Sequence, residues 1–173
     1  MGLRLFHFSE SSSIERFTPH VPPTNPTETS QVWAIDEAHQ SLYWFPRDCP
    51  RVAVWTRTAA DRPRFQEVFC TMADRVHAME AAWLQRMQQC ELFRYELPSA
   101  AFRPWVKASG QWVADVAVEP LAVEPVGDLF SLHAEAGVEL RLVPSLWPMA
   151  DLAQSDEWDF SIVRLANAAP RAD

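Results

Sequence analysis

The chain has little glycine and no run of basic residues, and both absences limit what it can be. Four glycines stand against fourteen prolines among 173 residues, so we expect proline to mark most element boundaries. Lys and Arg together number 15, against 23 Asp and Glu, which gives a net charge of −8. With no basic cluster to neutralise phosphates, a nucleic-acid partner is disfavoured. The same acidity disfavours an anionic membrane surface.

Segments for export, membrane insertion or cross-linking are also missing. No apolar stretch reaches the roughly 20 residues that span a bilayer, and residues 1–8 lack the pattern of a signal peptide. We therefore expect a cytoplasmic protein with no membrane partner. The cysteines at 49, 70 and 90 form no CxxC unit, and the five histidines are scattered. A disulfide framework and a metal site are accordingly not expected.

The sequence contains none of the common cofactor or nucleophile motifs, namely GxGxxG, GxxxxGK[ST], HExxH and GxSxG. A lone nucleophile, Cys49, is an alternative, because neighbouring Arg47 and Arg51 would lower the pKa of its thiol. Such a thiol also needs a base, and the candidates, His7 and His39, would have to come from elsewhere in the fold.

What the chain does contain is typical of a globular protein. Hydrophobic residues make up 48% of it, and eight Trp and ten Phe supply large areas for a core. Short apolar runs predict strands at 3–8, 31–35, 51–55, 91–97, 111–118, 138–143 and 160–165, with an extended segment at 121–124. We expect one α+β domain over residues 1–168, with a mixed, mostly antiparallel sheet, and a flexible tail over residues 169–173.

One long helix and several short ones complete the predicted fold. Apolar residues recur at spacings of four and three from Phe65 through Met72 to Trp83, which predicts a helix over about residues 64–89. Cys70 and Cys90 would then lie too far apart on that helix to pair. Short helices are predicted at 12–17 after a capping box, at 37–44, at 128–137 and at 146–153. Proline-rich residues 19–29 are predicted to form a loop, either a lid or the wall of a cleft.

Three segments carry side chains suited to chemistry. The first is residues 7–10, His-Phe-Ser-Glu, at the end of the first strand, where His7 either serves a site or is hydrogen-bonded for structural reasons. The second is residues 33–51, which holds Trp33, Asp36, His39, Tyr43, Trp44, Arg47, Asp48 and Arg51. Its rings and guanidinium groups either bind a planar anionic ligand or form a packed aromatic layer with an Arg–Asp network.

The third segment brackets residues 121–123 with two carboxylates, Glu119 and Glu124. A separation of five residues puts them on opposite faces of a regular strand, so only one can point into a given cleft. The alternative interpretation is a pair of solvated carboxylates on a strand edge.

Four segments together resemble an uncharacterised bacterial family, a domain of unknown function. They are LFHFSE at 5–10, VWAID at 32–36, PRDCPR at 46–51 and FSIVR at 160–164. The resemblance covers most of the chain and implies no activity.

A more distant resemblance is to ADP-ribosyltransferase-like domains of the His-Tyr-Glu branch. His7, Trp33, Tyr43 and either Glu119 or Glu124 follow one another in the order of that family's site. The resemblance implies NAD as cofactor, with His7 and Ser9 on the ribose, Trp33 and Tyr43 on the nicotinamide, and Glu124 ahead of Glu119 as the carboxylate. The usual Gly after the His is Phe8 here, and Trp33 replaces a Tyr. Arg47 joins the set as the clamp for an anionic group.

Beside a Cys49-dependent enzyme, two functions therefore stay open. One is a nucleotide-binding transferase or glycohydrolase that takes NAD or ADP-ribose and cleaves a C–N glycosidic bond, with His7, Tyr43 and Glu124 as catalytic residues. The other is a non-catalytic binding or interaction protein that uses the same cleft or its acidic surface. They differ in whether His7, Tyr43 and a Glu converge on one ligand position.

Overall fold

A computed structural model describes residues 2–22, 27–108, 110–155 and 158–171. The strands are β1 (Leu5–Ser9), β2 (Val32–Asp36), β3 (Arg51–Trp55), β4 (Arg75–Glu80), β5 (Phe93–Leu97), β6 (Arg103–Pro104), β7 (Gln111–Ala114), β8 (Ala122–Pro125), β9 (Glu139–Val143) and β10 (Asp159–Val163). The α-helices are α1 (Arg62–Phe69), α2 (Leu84–Gln88), α3 (Leu129–Glu135) and α4 (Trp147–Ala153). Short 3-10 turns lie at Gln40–Tyr43, Ala59–Asp61, Ala81–Trp83, Ser99–Ala101 and Leu165–Asn167.

The α+β class is confirmed, with one antiparallel and one mixed sheet. The described chain divides into two compact units: unit 1 comprises Met1–Trp44 and Glu91–Gly127, and unit 2 comprises Phe45–Cys90 and Asp128–Asp173. That residues 1–168 form a single domain stays a prediction. The flexible tail predicted at 169–173 and the loop predicted at 19–29 extend in part outside the described residues, at 172–173 and 23–26 respectively.

Unit 1 is built on a six-stranded sheet in the order β6-β7-β2-β1-β5-β8. Every strand pair in it is antiparallel. Side chains alternate between the two faces, and one face buries Leu5, Tyr95 and Leu97 in a core completed by Phe17 and Val118. Phe17 and Val118 also form an isolated antiparallel bridge, which closes this face of the sheet.

Unit 2 carries a four-stranded sheet in the order β10-β3-β4-β9, with β4 and β9 parallel. Val52, Val54, Val76 and Ala78 point from β3 and β4 into its core. Helices α1 and α4, with the residue that caps α4, cover that face with Phe65, Phe69, Leu146, Met149, Ala150 and Ala153. The other face of the same strands carries a buried Arg51 and a buried His77.

The long helix predicted over residues 64–89 is wrong. Helix α1 ends at Phe69, since Cys70 adopts the left-handed conformation with φ of 48° and closes its last turn. Strand β4 follows, and Val76 through Glu80 are all buried. A strand buried on both faces shows no alternation of apolar and polar residues. Its apolar residues therefore also match the spacing of three and four that is expected of a helix. Met72, placed on that stripe, is 85% exposed.

This correction also removes the argument that one helix holds Cys70 and Cys90 apart, although the cysteines at 49, 70 and 90 are all free. The helix predicted at residues 12–17 is also wrong, because Phe17 is held extended against Val118 in the core. Residues 37–44 form only the 3-10 turn at Gln40–Tyr43. The helix predicted at 128–137 is confirmed with its cap, since the Asp128 carboxylate accepts the N–H of Ser131 at 2.7 Å.

Candidate functional site

The sheet of unit 1 separates the predicted site residues onto two faces. Strand register pairs His7 with Tyr95, a core residue, and pairs Phe8 with Arg94. The His7 ring lies 4.7 Å from the ring of Phe17, and its Nδ1 is 3.0 Å from the carbonyl oxygen of Trp33. Ser9 is buried, and its Oγ accepts the N–H of Ser11 at 3.1 Å. His7 and Ser9 therefore belong to the core face.

Tyr43 and Glu124 lie towards the opposite face. Glu124 pairs with Arg94 across the strands, and the Arg94 Nε donates to its carboxylate at 3.0 Å. The Nη1 of Arg94 donates to Gln40 at 2.9 Å. The Tyr43 ring stacks on Phe8 with centroids 6.4 Å apart and planes 7° apart. Trp33 lies on this face too. It is two residues from Ile35, which pairs with Phe6, and Phe6 lies on the same face of β1 as Phe8.

The sheet thus brings Trp33, Tyr43 and Glu124 to one face and leaves His7 and Ser9 on the other. Arg47 belongs to unit 2 and is exposed. Glu119 lies before β8 and forms an exposed ion pair with Arg16 at 3.3 Å. The roles assigned to these residues by the distant resemblance stay predictions.

Sequence reasoning missed a cavity in unit 1. An open cavity of about 480 Å³ is lined by the hairpin between β6 and β7, by Gln111 and Trp112 of β7, and by Asp36 at the end of β2. Trp105 and Lys107 contribute to its wall from the hairpin. This volume falls within the range of roughly 300–1,000 Å³ that small-molecule sites occupy.

Asp36, which lines the cavity, is paired with the imidazole of His39. The Oδ1 of Asp36 lies 2.7 Å from the Nδ1 of His39 and also accepts the His39 N–H at 3.0 Å. The Asp36 N–H donates to the carbonyl of Gly110 at 2.9 Å. Gly110 has φ of +76°, and a Cβ built on it would lie 2.3 Å from the Cγ of His39. Glycine is therefore required here both for the left-handed backbone and for the close approach of the imidazole.

Aromatic rings and one ammonium group form the wall. Trp33 and Trp105 meet edge to face with centroids 4.9 Å apart, and the Lys107 Nζ lies 5.8 Å from the Trp105 ring centroid. Lys107 is the only lysine in the sequence, and its Nζ forms an ion pair with Glu28. The Nε1 of Trp33 is buried and finds no acceptor among the described residues. Flat apolar surface beside a single positive charge suits a planar ligand that carries an anionic group.

The cavity explains part of the signal in the second candidate segment. Asp36 lines the cavity, Trp33 packs behind it, and the Tyr43 hydroxyl accepts from the Nε2 of Gln111 at 2.8 Å. Trp105 and Lys107 lie between the strands predicted at 91–97 and 111–118, in a stretch to which the sequence analysis assigns no candidate site residue. The available signal was two tryptophans and the sole lysine close to a glycine, between two extended segments.

Two alternative chemistries find no support in the geometry. Cys49 is buried, and burial raises the pKa of its thiol to about 12, so the thiol stays protonated near neutral pH. The proximity of Arg51 lowers that pKa by less than burial raises it. Among the described residues, no group of three or more His, Cys, Asp or Glu side chains is arranged to hold a metal ion.

Comparison with known proteins identifies the family and nothing closer. The model of a family of unknown function (DUF6886) matches residues 6–168, and the chain belongs to that family. No curated protein matches the chain, and neither does any solved structure. Across the part of the chain that the structure describes, no helix is both long and apolar enough to cross a membrane.

Proposed function

We propose that this member of a family of unknown function is a non-catalytic binding protein, and that its unit 1 binds a planar anionic ligand of the nucleotide class. The observation that supports it is the cavity of about 480 Å³, which Trp105, Trp112, Lys107 and Asp36 line together. An aromatic face stacks on a heteroaromatic ring, and the ammonium group meets a phosphate. The carboxylate accepts a hydrogen bond from a sugar hydroxyl or a ring amine.

Hydrogen bonds and close packing hold the residues of the site in place before a ligand binds. Gly110 and Asp36 share a backbone hydrogen bond of 2.9 Å, and His39 fills the space beside Gly110. Trp105 is further held by its N–H, which donates to the Gln111 carbonyl at 2.8 Å. A wall that is already ordered loses little conformational freedom when a ligand arrives, so more of the contact energy appears as affinity.

Catalysis fits less well, since glycosidic cleavage needs its ribose-binding, stacking and carboxylate groups around one ligand. His7 lies against Phe17 on the core face, whereas Glu124 is hydrogen-bonded to Arg94 on the other face. NAD cleavage is the second candidate, because Trp33, Tyr43 and Glu124 share a face of the sheet. It predicts release of nicotinamide that is lost in Glu124→Gln.

The binding test is a calorimetric titration with AMP, ADP-ribose and NAD, repeated by tryptophan fluorescence. We expect saturable binding of at least one of them. Trp105→Ala should weaken it about 5- to 160-fold, because stacking on one ring contributes about 1–3 kcal/mol. Lys107→Met should weaken the phosphorylated ligands and leave unphosphorylated adenosine unaffected. Trp147→Ala, in unit 2, is the matched control and should bind as wild type. The absence of heat and of quenching for every ligand up to millimolar concentration would overturn the proposal.

A further inference from the structure

Unit 2 contains two histidines that are buried and hydrogen-bonded to each other. His77, in β4, is 0% exposed, and His133, in α3, is 1% exposed. The Nε2 of His133 lies 3.2 Å from the Nδ1 of His77. The Nδ1 of His133 lies 2.7 Å from the carbonyl oxygen of Leu129, one turn earlier in α3. The two rings meet edge to face, with centroids 5.2 Å apart.

This geometry fixes the position of both protons. A carbonyl oxygen only accepts, so the His133 Nδ1 must carry a proton and donate it to Leu129. In a neutral ring the His133 Nε2 is then an acceptor, and the His77 Nδ1 must be the donor to it. The remaining nitrogen, the His77 Nε2, is unprotonated, and it has no hydrogen-bond partner among the described residues. With both rings neutral, the two hydrogen bonds place each ring in the Nδ1–H tautomer.

The surroundings of the two imidazoles disfavour protonation of either ring. The ring of Phe45 lies 5.0 Å from the His133 ring and 5.8 Å from the His77 ring. The guanidinium of Arg51 sits 5.2 Å from the centroid of that same Phe45 ring. Arg75 lies on the same face of β4 as His77, by strand alternation. Both arginines are positive, so they oppose a further positive charge on the imidazoles.

Within the described ranges, the strands on either side of β4 place no carboxylate opposite His77. Opposite His77, β3 places Ala53 and β9 places Leu140. Glu80 of β4 points to the other face, where it accepts the N–H of Ala169. Three further carboxylates of these elements make other contacts: Glu139 bonds Arg141 and Thr71, Asp128 caps α3, and Asp48 lies near Arg164. Glu135 and Arg47 are exposed, and Cys49 is a buried thiol.

We propose that the His77–His133 pair is a pH-sensitive contact. It holds α3 against the sheet of unit 2 at neutral pH and releases it when the pair is protonated. A proton on the His133 Nε2 removes the acceptor of the hydrogen bond. A proton on the His77 Nε2 places an unpaired N–H and a positive charge in an apolar environment close to Arg51. Either event raises the free energy of the state in which α3 is docked. When α3 is released, water reaches the imidazoles and solvates the charge.

The direction of the pH dependence follows from linkage. Burial, the partner imidazole, Arg75 and Arg51 all hold the pKa of His77 well below its usual 6.5. Burial likewise lowers the pKa of His133. A histidine whose folded pKa is depressed contributes stability that is fully present above about pH 6.5, its unfolded value. That stability is lost as the pH falls from there towards the folded pKa.

NMR of the imidazole rings in the wild-type protein tests the proposed His77–His133 contact without a substitution. We expect the 13C and 15N shifts of both rings at pH 7.5 to report the Nδ1–H tautomer and no titration with an ordinary pKa. Hydrogen exchange then tests the release. Below pH 6.5 the protection of the α3 amides, corrected for intrinsic rates, should fall by up to about tenfold per pH unit for each proton taken up, before the amides of α1 lose theirs.

A substitution pair completes the test. The double variant His77→Leu/His133→Leu should lose most of the pH dependence of α3 protection between pH 6.5 and 5. The exposed His20→Gln in unit 1 should keep that dependence unchanged. An Nε2–H tautomer at His133, an ordinary pKa at either ring, or protection of α3 that does not change from pH 7 to 5 would each overturn the proposal.

Discussion

Replacing Gly110 by Ala should damage the fold of unit 1 and its cavity together. The added Cβ would lie 2.3 Å from the His39 Cγ and 2.4 Å from its Nδ1, so the imidazole must move away from residue 110, which disturbs its contacts with Asp36. The hydrogen bonds at risk are the 2.7 Å contact between those side chains and the 3.0 Å bond to the His39 N–H. Hydrogen bonds to a charged group contribute about 1.5–3 kcal/mol each. Alanine at φ of +76° adds roughly 1 kcal/mol of backbone strain.

We therefore expect Gly110→Ala to lower the free energy of unfolding by about 3 kcal/mol, allowing for one of the two hydrogen bonds surviving. Urea unfolding followed by circular dichroism measures it. Gly127→Ala is the matched control, because Gly127 also lies in unit 1 and has φ of +81°, but a Cβ there meets nothing within 4 Å. That variant should lose only the backbone component of about 1 kcal/mol. Equal losses in the two variants would refute the role given to His39.

Three further predictions concern unit 2. Glu80→Ala should destabilise the protein by about 3 kcal/mol in urea, because its buried carboxylate accepts backbone N–H groups at 3.0 and 3.4 Å that would be left unpaired; a loss below 1 kcal/mol would contradict this. Asp128→Ala should weaken α3 at neutral pH, and since hydrogen bonds from Ser131 lower the pKa of Asp128, the difference from wild type should vanish as the pH falls through the carboxyl range below about 4. In a thiol-labelling time course, exposed Cys70 should react at once and buried Cys49, with its pKa raised to about 12, only on unfolding; fast labelling of Cys49 in Cys70→Ser would be inconsistent.

The sequence predicted elements best where local chemistry marks both ends. The helix at 128–137 has a capping Asp128 and a left-handed Gly137, and both work as expected. The strand at Arg51–Trp55 is bounded by Pro50 and is found as predicted. These signals are local, so they can be interpreted without knowledge of the rest of the fold.

Prediction failed where tertiary burial overrides local pattern. Residues 76–80 are buried on both faces of the sheet of unit 2, and no periodicity distinguishes such a strand from a helix. The capping box at residues 12–15 is present in sequence, yet Phe17 bridges to Val118 as extended chain. A long-range contact of this kind has no local signature.

The candidate site divides in the same way. Asp36, Trp33 and Tyr43 were identified because aromatic and charged residues cluster in one segment, and all three lie at or beside the cavity. Trp105 and Lys107 reach it only through the pairing of β7 with β2. The separation of His7 from Glu124 depends on strand register, which the order of elements along the chain does not determine.

The most direct test of the binding proposal uses the fact that Lys107 is the only lysine. The protein is treated with a limiting amine-reactive reagent, and modification of Lys107 is followed by mass spectrometry with and without ADP-ribose, with the α-amino group as the internal reference. If the cavity binds a phosphorylated planar ligand, ADP-ribose should slow modification of Lys107 saturably and leave the α-amino rate unchanged. Trp105→Ala should then need at least about fivefold more ADP-ribose for the same protection. An equal rate of Lys107 modification with and without millimolar ADP-ribose, AMP or NAD would contradict the proposed function.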